Sequence, residues 1–110
     1  MVLLLNALSL NMLNETECDI SLSILPQDQA VGIILGVENL VSAVGHQSTA
    51  DLLTSICGVK ILADRRSVDL ALLREAQVII VAQYTGPRLQ AGATELPPEA
   101  KITWWRVEVR

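Results

Sequence analysis

The sequence predicts an α/β fold: a single small domain spanning residues 1–110, with a mixed β-sheet and a few flanking helices, paired as a homodimer. Three observations predict it. At 110 residues and 51% hydrophobic, the chain is long enough to close one core and too short for two. Apolar or alternating stretches of strand length recur along it, while helix signals are few. A domain this short has little room for an internal cleft, so a ligand larger than a mononucleotide sits on a groove or between two copies.

Taken in order, residues 2–8 form a short apolar run suited to a buried central strand, and Ser9 to Glu17 are polar enough for a loop. Cys18 to Leu25 alternates, with Cys18, Ile20, Leu22 and Ile24 set against Asp19, Ser21 and Ser23, as a half-buried strand does. Pro26 to Leu35 opens on a proline that suits a first helical turn, although Gly32, Ile33 and Ile34 leave a strand open as an alternative. Val37 to Val44 is apolar and β-branched, a strand that ends at Gly45. Ser48-Thr-Ala-Asp51 has capping-box form, Leu52, Leu53 and Ile56 share one helical face, and Gly58 supplies the C-terminal stop. Further strands are predicted at Arg66 to Leu70, Val78 to Gln83 and Ile102 to Val109, around a loop containing Tyr84-Thr-Gly-Pro87 and Pro97-Pro98. These patterns define no strand order.

The charge pattern narrows the function. A net charge of −4 argues against DNA or long RNA as a partner, because non-specific affinity comes from many Lys and Arg contacts to phosphates. Residues 1–59 contain no Lys or Arg, whereas residues 60–110 hold all eight cations against six acids. An anion site must therefore recruit from the second half. The apolar start lacks a basic flank and is interrupted by Asn6 and Asn11, so no signal peptide is expected. No stretch approaches the ~20 apolar residues of a membrane span. Cys18 and Cys57 are far apart without metal spacing and read as free thiols of a reducing compartment, which makes a cytoplasmic protein the expectation. Cys57 falls at a helix end, away from the positive dipole that activates thiols.

His46 is the only histidine and lies in the turn between a predicted strand end and a helix start. Free backbone N–H groups and the helix dipole favour an anion there, and imidazole can give or take a proton at working pH. The alternative is a polar residue that only satisfies helix-end groups. Asn6, Ser9 and Asn11 follow the first strand, at the kind of edge where α/β sheets place ligands; they can contact phosphate, ribose or base, or serve as a turn bonded to its own backbone. Arg65, Arg66 and Arg88 are candidate phosphate holders or solvated surface charges. Trp104 and Trp105, adjacent on a strand, point to opposite faces, one into the core and one toward an interface. Gly-rich phosphate loops, Cys/His zinc spacings and serine-elbow motifs are absent, and no metal or cofactor is expected.

Four ordered blocks carry a resemblance: Asn6-Ala-Leu-Ser-Leu-Asn-Met-Leu13, Gly45-His-Gln-Ser-Thr49, Ile56-Cys-Gly58, and Arg88-Leu89 followed by Gly92. Together they resemble the type III anti-CRISPR ring nucleases of archaeal viruses and phages, and the relatives of those enzymes encoded beside cellular type III CRISPR systems. The resemblance runs from Leu3 to about Val109. It implies a homodimer that binds cyclic tetra-adenylate across its two-fold axis and cleaves it without a metal to di-adenylate, switching off type III CRISPR signalling. It implies His46 as general acid, with Asn6, Ser9, Gln83 and Arg88 binding the substrate. Arg66 matches a further ligand-contacting arginine, with Arg65 as the alternative match. The N–H groups of Gln47, Ser48 and Thr49 are then placed to hold the scissile phosphate. Two features depart from the pattern: the extra segment Tyr84-Thr-Gly-Pro87, and Ala91 where the family often has glutamate. Ala91 keeps a second function in view, a sponge or sensor that binds cyclic oligoadenylate with negligible cleavage. A third is an interaction protein in which His46 is only a cap and a tryptophan anchors a partner.

Overall fold

The apolar run near the start of the chain becomes the middle of the sheet. The computed structural model describes residues 1–110. The elements are β1 (Val2–Leu5), a 3-10 turn (Leu10–Met12), β2 (Ile20–Leu25), α1 (Gln27–Gly36), β3 (Leu40–Ala43), α2 (Gln47–Cys57), α3 (Leu70–Glu75), β4 (Val78–Thr85) and β5 (Lys101–Val109). The five strands form one mixed sheet in the order β2-β5-β4-β1-β3. β1 pairs in parallel on both sides, Val2 facing Leu40 of β3 and Val78 of β4. Burial on both faces explains its unbroken Val-Leu-Leu-Leu composition, since every side chain of the strand meets a covering layer. β5 then runs antiparallel to β4, and β2 antiparallel to β5.

Side chains alternate across the sheet and divide the core in two. On one face Val2, Leu4, Ile80, Ala82 and Trp104 pack under α1 and α2 through Ala30, Ile34, Leu53 and Cys57. On the other, Leu3, Leu5, Ile79, Val81 and Val107 meet Val68, Leu70 and Leu73 of the α3 region. The tryptophan pair splits as the alternation requires. Trp104 is buried and its indole N–H donates to Gln27 Oε1 at 3.1 Å, whereas Trp105, on the second face, donates to Gln83 Oε1 at 3.0 Å.

Several local expectations change. The stretch expected from Pro26 to Leu35 is helix from Gln27 to Gly36 with Pro26 as its N-cap, because Ala30 and Ile34, four apart, drop into the first core cluster. The strand expected at Arg66 to Leu70 is absent: Asp69 caps α3 instead, accepting the Leu72 N–H at 3.0 Å. The expected capping box fails as well. The N-cap of α2 is His46, two residues before Ser48, and Asp51 makes other bonds. The stop at Gly58 holds, with φ 75° in the left-handed region that favours glycine. β2 is an edge strand whose Leu22 and Ile24 are 55% and 68% exposed rather than half-buried, because α3 and the 3-10 turn cover only the inner part of that face.

No helix is long and apolar enough to cross a membrane.

Candidate functional site

Strands β1, β3 and β4 run parallel, so their carboxyl ends open on one edge of the sheet, the place where α/β folds present ligand-binding loops. Asn6 follows β1 there and Gly45-His46 follows β3. The backbone of Gly45 is held from both sides: its N–H donates to Asn6 Oδ1 at 3.0 Å, and its carbonyl accepts from Arg65 Nε at 2.7 Å. The parallel bridge between Val44 and Ala63 brings Arg65 into reach. The residue preceding His46 is thereby pinned.

His46 caps α2 with extended backbone, φ −126° and ψ 129°, and its side chain makes no capping bond. The imidazole is exposed and uncommitted. The first N–H bonded within the helix is that of Ala50, to the His46 carbonyl at 3.0 Å. Those of Gln47, Ser48 and Thr49 lack intrahelical partners and lie at the positive end of an 11-residue helix. Such an end attracts an anion, and His46 stands beside it.

The facing wall is the loop that leaves β4. Tyr84 donates its hydroxyl hydrogen to the Pro87 carbonyl, and Arg88 follows, exposed and without an ion-pair partner. His46 to Thr49, Arg65, Tyr84, Arg88 and Ala91 border one open cleft of about 590 Å³. Arg65 and Arg88 are its only formally charged side chains, and no Asp or Glu lines it. A protein of net charge −4 therefore carries an acid-free, cationic cleft. Its chemistry suits a phosphate held between guanidinium groups and helix N–H groups, with a proton donor beside it.

The other expected residues are placed differently. Arg66 lies outside this cleft, 3.3 Å from Asp64 and beside Lys60 along β3, so the arginine brought to His46 is Arg65. Ser9 caps the 3-10 turn, its Oγ accepting the Asn11 N–H at 3.2 Å, which is the turn role among its two options. Gln83 projects to the opposite face of the sheet, where it shares a second hollow of about 360 Å³ with Asn6, Leu22 and Trp105. Asn6 borders that hollow while its Oδ1 holds Gly45, the residue before His46 of the first cleft, so it stands between the two. Tyr84 and Asp51 had no site role in the sequence. Tyr84 falls on the His46 side only because β4 runs on to Thr85, two residues past its expected end. Cys57 is buried, and burial raises its thiol pKa, which leaves it inert.

Fold and cleft together define a small α/β protein with a cationic cleft at the carboxyl ends of its parallel strands. Residues 2–102 match the STIV B116-like family, and the chain belongs to that family. Its fold is similar to that of B116 of Sulfolobus turreted icosahedral virus, with a TM-score of 0.72 and 26% identity over 96% of this chain and 97% of that one. No curated protein matches the chain.

Proposed function

We propose that this protein is a metal-independent ring nuclease that opens cyclic tetra-adenylate and so switches off type III CRISPR signalling. The observation that carries the reading is the uncommitted imidazole of His46 at the α2 N-terminus, sharing an acid-free cleft with Arg65 and Arg88. RNA supplies its own nucleophile, so holding the 2′-hydroxyl in line with the departing 5′-oxygen does much of the work. The 2′-oxygen bonds to phosphorus as the bond from phosphorus to the 5′-oxygen breaks. Protonated His46 gives its proton to the 5′-oxygen, and the 2′-hydroxyl proton passes to water in the open cleft. Arg65, Arg88 and the N–H groups of Gln47 to Thr49 offset the growing charge on the phosphate. The product has a 2′,3′-cyclic phosphate end.

A four-nucleotide ring presents equivalent phosphates on opposite sides, which suits two copies related by a two-fold axis and yields di-adenylate after two cuts. Leu22 and Ile24, exposed beside Trp105, offer an apolar face for the second copy. Ala91 supports a second reading, a sponge that binds the ring without turning it over, because position 91 on the Arg88 wall offers no carboxylate to orient Arg88 or His46.

The test is metal-free incubation with EDTA of cyclic tetra-adenylate and either wild type or His46→Ala, at several substrate-to-enzyme ratios. His46→Ala is expected to lower kcat by roughly 10²-fold or more while ring binding persists. Binding without turnover in wild type identifies the sponge; no binding at all overturns both readings.

A further inference from the structure

The cleft places an unpaired arginine on a loop, where a long side chain is a poor electrostatic tool unless its backbone is fixed. Two contacts supply that fixation, one on each flank of Arg88. Before it, Tyr84, the penultimate residue of β4, donates its hydroxyl hydrogen to the Pro87 carbonyl. After it, Asp51 of α2 accepts the Gly92 N–H on Oδ2 at 3.1 Å. The other oxygen of the same carboxylate, Oδ1, accepts from Gln47 Nε2 at 2.8 Å, in the first turn of the helix that His46 caps. Asp51, itself outside the cleft lining, thus links Gln47 of one wall to Gly92 beside the other with one side chain. The turn is further confined at Gly86, whose φ is 151° and where an added Cβ would stand 2.6 Å from the Ala100 Cβ.

We infer that Asp51 and Tyr84 are positioning residues that fasten the Arg88 turn at both ends and set it against His46. The catalytic side of this inference rests on the ring-nuclease reading; the fastening itself does not. Both act through Arg88, and neither needs to touch the substrate. Tyr84→Phe removes the hydroxyl and keeps the ring, while Asp51→Ala removes both acceptors and keeps a strong helix former in α2.

Two measurements test it on the full-length protein. The first is cleavage of cyclic tetra-adenylate by each variant, alone and combined with Arg88→Ala. Each single change is expected to lower kcat about 10-fold, and to add less than about twofold once Arg88 is gone, because contacts acting through one residue are not additive. Equal losses in both backgrounds, or no loss, overturn the catalytic role. The second is amide hydrogen exchange over residues 86–92, which requires no activity. The Gly92 amide, the one N–H of the segment with a hydrogen-bond partner, is expected to exchange about tenfold faster in either variant, while residues 52–57 of α2 stay protected. Unchanged exchange at 86–92 overturns the fastening even in a protein with no nuclease activity, and a silent wild type with the expected exchange overturns the ring-nuclease reading alone.

Discussion

Arg65 and Arg66 are neighbours of identical chemistry, and the fold sends them to different places. The Val44–Ala63 bridge sets the register of the segment, so Arg65 turns in to the Gly45 carbonyl and Arg66 turns out to Asp64. That register is a non-local fact, which is why the sequence points to Arg66, with Arg65 only as the alternative, where the fold brings Arg65. His46 was legible because the elements that flank it are local: a β-branched stretch, a glycine and an amphipathic helix follow one another along the chain; the contacts of Asn6 and Arg65 that pin Gly45 are not local and were not legible. Gln83 was expected at the end of its strand, but β4 runs on to Thr85, and neither that extent nor the face of Gln83 was legible, because both depend on pairing with β5. The consequence is measurable. Arg65→Ala is expected to lower kcat/KM for cyclic tetra-adenylate by roughly 10²-fold, through lost charge in the cleft and a loosened Gly45. Arg66→Ala should stay within about twofold, since it breaks only an exposed ion pair. The reverse order of the two variants would place the substrate along β3 instead.

At the level of elements, the failures and successes share a cause. Val68 and Leu70 flank Asp69 with the period of a strand, yet both are buried because an extended lead enters α3, whose own signal is only the Leu70–Leu73 spacing. Six residues are too few for a helical period to declare itself. A short helix also depends heavily on its cap. Asp69→Ala is expected to cost about 1 kcal/mol, read as a lower urea midpoint with an unchanged slope; no change would mean that packing of Leu70 and Leu73 alone sustains the turn. β2 shows the opposite case. Its residues alternate between the two faces, but alternation reports which residues share a face and not what covers that face. The cover over Leu22 and Ile24 is missing within one subunit.

For the whole molecule, the fold class was legible because composition and strand recurrence are properties of the entire chain, while the strand order was not, because it rests on contacts between distant segments. Val2 faces both Leu40 and Val78. Closing such loops costs entropy before any contact rewards it. Refolding followed by Trp104 fluorescence is therefore expected on the millisecond-to-second scale of non-local folds; a microsecond phase that completes the native signal would contradict the argument. The same feature matters during synthesis. The segment that becomes the centre of the sheet is translated ahead of both its neighbours, and the second of them follows some 76 residues later. At ~5–20 residues per second, a ribosome leaves that apolar segment without its full lining for about 4–15 s. Until β4 is translated, the Val-Leu-Leu-Leu segment is apolar sequence of the kind that nascent-chain chaperones bind, and the yield of folded protein in a cell is expected to fall when such chaperones are depleted.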